Sequence, residues 1–321
     1  MFIFEMRNAV VKNIDRNLVS IIKEICKEEN IELKSYSDKW ILRLSKNGIN
    51  RHIIGYRFEL NNSATDAICS DKCATSDILI DNNIPCVKHS FFNSPSNIHH
   101  TNSDSNWIVM LKYLEEYKKI VCKPNEGTSG NNVISVSNEK ELEQAVDKIF
   151  IKSRSLAICP YYDIKNEYRV IILNGNVKVI YSKEKPSLIG NGKDTILQLL
   201  ANSNIEYKIG DFDKNINYYY VPPKDETFRL NWKHNLGLGS SAKIIHDNQL
   251  TKILSEIAAQ TANVLNIKFA SIDIIETEDN YQVLEVNSGV MMECFSSNPE
   301  NYEIAKSIYK EAIDLMFNQK N

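Results

Sequence analysis

Apolar positions along this chain follow two periods, and the two alternate. Helical spacing is clearest over residues 248–266, where Leu250, Ile253, Leu254, Ile257, Ala258, Thr261, Val264 and Leu265 mark one face. Residues 17–30, 106–119, 139–150 and 301–317 also read as helices. The third of these opens on a pattern resembling a capping box, Asn138 to Glu141. Residues 70–83 predict a helix ending at Asn82-Asn83, with a strand opening at Ile84-Pro85. Residues 194–203 predict a short helix capped by Asp194. Between the helices lie short strand-like runs at 39–46, 51–60, 119–124, 131–136 and 155–162. Residues 167–186 predict two strands joined at Asn174-Gly175, the strongest hairpin signal in the chain. Residues 269–287 predict another hairpin, turning at Asp279-Asn280. Residues 203–228 are rich in tyrosine and asparagine and show no clear period. Strand and helix interleave, so the expectation is an α+β chain in three parts: a small α/β region over 1–65, a central unit over 66–165 and a C-terminal unit over 166–321.

Composition narrows the class without naming a chemistry. The chain has 321 residues, 43% hydrophobic and 25% charged, as soluble globular proteins do. A net charge of -3 gives no reason to expect a nucleic-acid partner. No run of about 18 apolar residues is present, so no membrane partner is expected. The opening residues carry an acid at Glu5 and no signal-peptide layout. Seven cysteines are scattered, and Cys69 and Cys73 form a C-x3-C pair without a second pair. They read as reduced thiols of a cytoplasmic protein, with metal or redox chemistry the lesser alternative.

Two segments carry candidate chemistry. In "VCKPNEGTSGNNVISV", residues 121–136, Lys123 closes an apolar strand and a loop follows with Gly127, Thr128, Ser129 and Gly130. Glycine lets backbone approach oxygens closely, and successive N–H groups can cradle an anion, so the loop suits a polyphosphate. A plain hairpin turn with a surface lysine is the alternative. The pattern is not a Walker A loop, because a strand follows where a helix is needed. "GNGKDT" at 190–195 also fails that pattern, with Ser187 in place of the first glycine and Asp194 after the lysine. In "SIDIIETEDNYQVLEVNSG", Asp273 and Glu285 fall on facing strands, and Asn287 shares a sheet face with Glu285. Three oxygen donors on one face suit Mg²⁺. The alternative is an exposed edge hairpin, the expected state of Glu276, Glu278 and Asp279.

Taken in order, these pieces resemble the ATP-grasp superfamily over roughly residues 66 to 317. The resemblance rests on "SDKCATSDILIDNNIPCVKHSFF", "VCKPNEGTSGNNV", "NEYRVIILNGNVKVIYSKEKPSLIGNGKDTILQLL" and "FASIDIIE…YQVLEVNSG". It implies two α+β subdomains gripping ATP between them, preceded by the small N-terminal domain. It implies ATP and one or two Mg²⁺ ions, with Mn²⁺ as a substitute, as cofactors. By matching positions, Lys72 and Lys123 would contact phosphate, and Gly127, Thr128, Ser129 and Gly130 would form a mobile loop over it. Tyr161 and Tyr162 would lie at the adenine hinge, and Glu167 would hold the ribose. Asp273, Glu285 and Asn287 would bind the metal. Arg169 and Lys183 would face the transferred phosphate and the acyl group, with Lys185 a rival for Lys183. Asn235 would sit beside the metal.

Departures fall mainly in the substrate region. Cys159-Pro160 replaces a common glutamate at the hinge, Asn191 replaces an aspartate, and "EVNSG" lacks a proline–glycine turn. The glycines pair as 127 with 130, 190 with 192 and 237 with 239, with Gly289 alone, and this clustering suggests backbone approach to one ligand. The resemblance implies a carboxylate–amine ligase acting on an amino acid or peptide, as a homodimer or tetramer. The alternatives are an ATP-grasp kinase with a hydroxyl acceptor and a non-catalytic nucleotide-binding module.

Overall fold

The computed structural model describes residues 15–95, 107–127, 130–185, 187–203, 216–230, 242–278 and 280–319. The chain divides into two units, one of Glu59–Val290 and one that joins Met1–Phe58 to Met291–Asn321.

In the unit built from both chain ends, helix α1 (Asn17–Glu28) buries Leu18, Val19, Ile21, Ile22, Ile25 and Cys26. Strands β1 (Glu32–Tyr36), β2 (Ile41–Lys46), β3 (Ile49–Ile54) and β4 (Arg57–Phe58) follow as an antiparallel meander. Asn47 and Gly48 turn β2 into β3 at positive φ, as a two-residue hairpin loop needs. The first turn of α1 is capped from far along the chain: the Glu293 carboxylate accepts from the N–H of Asn17 at 2.7 Å and of Leu18 at 3.1 Å. The C-terminal helix Pro299–Asn318 opens on Asn298 and Pro299 and stacks Tyr309 on Phe58, ring centroids 5.4 Å apart.

The larger unit begins with α2 (Ser63–Ser70) and α3 (Lys72–Asp81), which meet at Asp71. Asp71 caps α3 by accepting from Ala74 N–H at 2.8 Å. The helix ends at Asn82, and Asn83 has φ 58°, in keeping with the predicted stop. The strand expected at Ile84-Pro85 does not form. Proline offers no N–H, and the segment makes one isolated bridge, Cys86 to Val283, before β5 (Ser90–Asn93).

Helix α4 (Trp107–Tyr117), β6 (Ile120–Pro124), β7 (Ile134–Val136), α5 (Glu139–Phe150) and β8 (Ser155–Pro160) follow. The sheet order is β5-β8-β6-β7, all antiparallel. Both helices pack on one face through Leu114, Ile120, Cys122, Leu142, Leu156 and Ile158, which leaves Val121, Lys123 and Cys159 on the other. The capping box of α5 is offset. Asn138 accepts from Glu141 N–H, but the Glu141 carboxylate accepts from Ser137 N–H, one residue before the cap.

The second sheet contains β9 (Asn166–Leu173) and β10 (Asn176–Lys183), joined by Asn174-Gly175 at positive φ as predicted. After β11 (Ser187–Ile189), α6 (Ile196–Ala201) and β12 (Thr227–Arg229) come β13 (Ala242–Ile244), α7 (Asn248–Val264), β14 (Phe269–Glu276) and β15 (Tyr281–Asn287). The order is β13-β10-β9-β14-β15. Helix α7 covers one face, where Leu254, Ala258 and Ala262 meet Val170, Ile172, Ile272 and Ile274.

Two sequence expectations change here. The cap of α6 is Thr195, which exchanges hydrogen bonds with Gln198 in a full capping box, while Asp194 accepts instead from Asn191 Nδ2. Gly190 and Gly192 serve the chain's own packing. A Cβ on Gly190 would lie 2.1 Å from the Pro223 carbonyl, and the Gly192 N–H donates to Pro222. That pair lets the chain pack closely beside the β11–β12 pairing and is no evidence of a ligand.

Candidate nucleotide and metal site

Period-two alternation puts the charged residues of the second sheet on the face away from α7. Register then lines them up: Tyr181 pairs with Arg169, Arg169 with Asp273, and Asp273 with Glu285. The last pairing depends on a bulge in β15. Asp273 faces Glu285 while Ile274 faces Val283, so Leu284 is the extra residue. Val283 and Val286 both reach the α7 core, and Glu285 and Asn287 turn to the charged face.

Asp273 is fully buried and accepts a two-pronged bond from Arg169, Nε to Oδ1 at 2.7 Å and Nη2 to Oδ2 at 2.8 Å. Lys183 Nζ lies 2.7 Å from Asp273 Oδ2 and 2.5 Å from Glu167 Oε1. Burial alone would raise the Asp273 carboxyl; Arg169 and Lys183 outweigh it and hold it well below the usual carboxylate range. Burial raises Glu167 above its usual range, against the pull of Lys183 and with the push of Asp273. Lys183 is raised, because Asp273 and Glu167 overcome the effects of burial and Arg169. Lys185 is not part of this cluster: its Nζ donates to the Ile164 carbonyl at 3.1 Å.

Lys72 and Lys123 are both buried. Lys72 Nζ donates to the carbonyls of Gly127 at 2.8 Å and Asn125 at 3.3 Å. Asn125 also clasps the start of α3, its Oδ1 accepting from Cys73 N–H at 3.1 Å. Burial lowers Lys72; Glu285 opposes that shift and Lys123 adds to it. Lys123 has no ion pair among the described residues. Glu285 acts electrostatically on Lys72, Arg169 and Lys183 alike, so it links the two basic groups. Beside them Val87, Val121, Cys159 and Ile275 form an apolar cluster, with Tyr161, Tyr162 and Leu284 against it. Tyr161 carries Lys119 Nζ 3.5 Å from its ring centroid. Gly130 has φ 66°, while Thr128, Ser129 and Asn235 lie outside the described residues, as do Gly237, Gly239 and Asp279.

The fit to a magnesium ion can be tested on this geometry. Among the described residues no group of three His, Cys, Asp or Glu side chains is arranged for a metal. The expected set has two carboxylates and an amide. Glu285 Oε1 accepts a long 3.4 Å contact from Asn287 Nδ2, and the amide turned over would present its oxygen there. Glu285 and Asn287 therefore fit a hard cation. Asp273 fits only by sharing a carboxylate that already accepts three bonds, and Lys183 is the partner able to yield.

Several of these residues had no sequence signal: Asn125, Val121, Leu284 and Ile275. They became visible only when register and burial placed them beside Lys72, Lys123 and Glu167.

Comparison with known proteins bears on the fold. Residues 223–311 match the RimK-like ATP-grasp domain family. The glutathione biosynthesis bifunctional protein GshAB of Clostridium perfringens is 24% identical over 285 residues, covering 79% of this chain and 35% of that protein. Cyanophycin synthetase of Trichormus variabilis is 24% identical over 246 residues, covering 70% of this chain and 26% of that protein. The chain thus spans about a third or less of the length of these relatives. The crystal structure of a bifunctional glutathione synthetase from Pasteurella multocida matches with a TM-score of 0.58 at 13% identity, over 93% of this chain and 45% of that one. The chain has the ATP-grasp fold, in an α+β architecture, and its residues 223–311 are similar to the RimK-like ATP-grasp domain family.

Proposed function

We propose that this chain is an ATP-dependent carboxylate–amine ligase that joins an amino acid or peptide carboxylate to an amine. The observation that carries this reading is a concentration of buried cations: Lys72, Arg169 and Lys183 share Glu285, and Lys123 acts on Lys72. Buried positive charge in excess of its partners calls for an anion. The apolar cluster of Val87, Val121, Cys159 and Ile275 beside it suits a purine ring, with Tyr161 and Tyr162 at its rim. Lys72, Lys123, Gly127, Thr128, Ser129 and Gly130 would hold the phosphates, and Glu167 the ribose.

A carboxylate acylates poorly because oxide is a poor leaving group. In the proposed reaction the substrate carboxylate attacks the γ-phosphate of ATP, giving an acylphosphate and ADP. The amine then attacks the acyl carbon and inorganic phosphate departs. Lys123 and Arg169 would neutralise charge on the transferring phosphoryl group, and Arg169 and Lys183 the later oxyanion. Glu285 and Asn287, with Asp273 behind them, would hold Mg²⁺, which supplies charge neutralisation at the phosphate oxygens when bound. Asn235 would stand beside it. The fixed salt bridges of Asp273 keep Arg169 in place before substrate arrives, so the chain supplies positioning more than acid–base chemistry.

The test is an ADP-release screen over carboxylate and amine pairs, with mass spectrometry of the product. Release that needs both partners and yields an amide is expected. ADP release driven by an alcohol, with a phosphorylated product, would make the chain a phosphotransferase. ATP binding without release in any substrate pool would make it a binding module.

A further inference from the structure

His89 stands between α3 and β5 and is 3% exposed. Its backbone N–H donates to Ser76 Oγ at 3.3 Å, which fixes the chain at that point. Both ring nitrogens are buried, and neither has a hydrogen-bond partner among the described residues. Asn125 Nδ2 is in the same condition, in a residue with no exposure, although its oxygens hold Lys72 and Cys73. Native interiors leave few buried polar atoms unpaired, and such atoms point to a missing ligand, water or ion. Lys123 and Lys72 are the charges that act on the His89 ring. Ser76 stands one helical turn after Lys72 on α3, so the His89–Ser76 bond and the Lys72–Asn125 bond bring both residues to the same lysine.

We propose that His89 contacts the phosphates of the bound nucleotide, its ring N–H donating to a phosphate oxygen shared with Lys72 or Lys123. This rests on the nucleotide-site reading above. The chemistry favours an imidazole over a third cation. Burial, then Lys123 and Lys72, push the ring well below its ordinary titration range and keep it neutral, while the Val87 backbone pulls the other way. A neutral ring keeps one donor and one acceptor. It can give the donor to phosphate and accept from a lysine without adding charge repulsion to the empty pocket. A phosphate chain offers several oxygens in one place, so it satisfies the ring and the lysines together.

Calorimetric titration of the full chain with ADP and Mg²⁺, with adenosine as the phosphate-free control, tests this. The variants are Lys123→Met, His89→Leu and His89→Gln, each also melted without nucleotide. Lys123→Met is expected to weaken ADP binding strongly. His89→Leu is expected to weaken it by about 10-fold, as loss of one hydrogen bond to a charged group does, and to leave adenosine binding unchanged. Its nucleotide-free melting temperature should match or exceed that of the parent chain, because an apolar side chain removes two unpaired nitrogens. His89→Gln keeps an N–H donor and should bind within about 3-fold of the parent. If Lys123→Met loses ADP and His89→Leu does not, the contact is absent. If His89→Leu melts lower and His89→Gln fails to restore binding, the ring is packing only, and the proposal is overturned. If the parent chain does not bind ADP, or Lys123→Met binds it equally well, the nucleotide site itself is wrong.

Discussion

On β9, Val170 and Ile172 lie under α7 while Glu167 and Arg169 lie on the opposite face, yet all four are buried. The same split runs through β14, with Ile272 and Ile274 against Ser271 and Asp273. One face is an ordinary apolar core. The other is equally dry and holds two interlocked ion pairs, with Lys183 touching both acids. Burial therefore does not distinguish a core from a site in this sheet. Pairing does: charges survive in a dry layer only where each meets its opposite. Such a cluster is weak evidence for stability, since well-packed apolar residues often do as well. Its presence on one face alone is what the proposed nucleotide and metal site would require.

Breaking the charged face should have the largest effect. Arg169→Met leaves Asp273 with Lys183 alone and should cost about 3–5 kcal/mol in urea unfolding, the scale for orphaning a buried charge. The double change Arg169→Met with Asp273→Leu makes that row resemble the α7 face and leaves Lys183 with Glu167. It should recover most of the loss while ADP formation stays abolished. A double variant no more stable than the single one would mean the face is not maintained by charge pairing.

On the apolar face, Ile172→Ala should destabilise by about 2–5 kcal/mol through the cavity it leaves. Calorimetric ADP affinity of the folded protein should not change. Altered affinity would show that the two faces are coupled through the strand, and the contrast would weaken.

Glu285→Gln separates function from stability. Glu285 is half-buried and its side chain makes only the long contact with Asn287 among the described residues. Turnover measured as ADP release should fall at least about 100-fold, the scale for losing a main charge-stabilising group. The unfolding midpoint should stay where it is. Unchanged turnover would remove Glu285 from the site.

Period-two reasoning foresaw that Asp273, Glu285 and Asn287 share a face, and local turn chemistry foresaw the Asn174-Gly175 hairpin. What stayed hidden depends on tertiary register. The bulge at Leu284 restores the alignment of Glu285 with Asp273, and nothing in "YQVLEVN" announces it. Lys183 and Lys185 look alike in sequence; Lys183 ends β10 and reaches Glu167 and Asp273, whereas Lys185, beyond the strand, donates to the Ile164 carbonyl. Gly190 resembles a ligand-approach glycine until Pro223 is seen against it. Thr195 and Asp194 are both good caps, and Asp194 is claimed by Asn191. The strand expected at Ile84-Pro85 failed because one bridge to β15 is all that segment finds.

The smallest predicted effect gives the sharpest reading of the charged face. Ser271 lies two residues before Asp273 on β14, opposite Asn287 on β15. It is fully buried, and among the described residues its hydroxyl has no partner. If the polarity of this face serves only internal pairing, the hydroxyl is a defect. Ser271→Ala should then be neutral or stabilise by up to about 1 kcal/mol, since removing an unpaired buried group relieves its desolvation, with turnover unchanged. If the face is arranged for a ligand beside Asn287, the same variant keeps its stability but raises the Mg²⁺ or Mn²⁺ concentration needed for half-maximal nucleotide binding. The second outcome is the one expected here. Under the proposed reading, a cation held beside Asn287 would give the Ser271 hydroxyl the partner it lacks among the described residues.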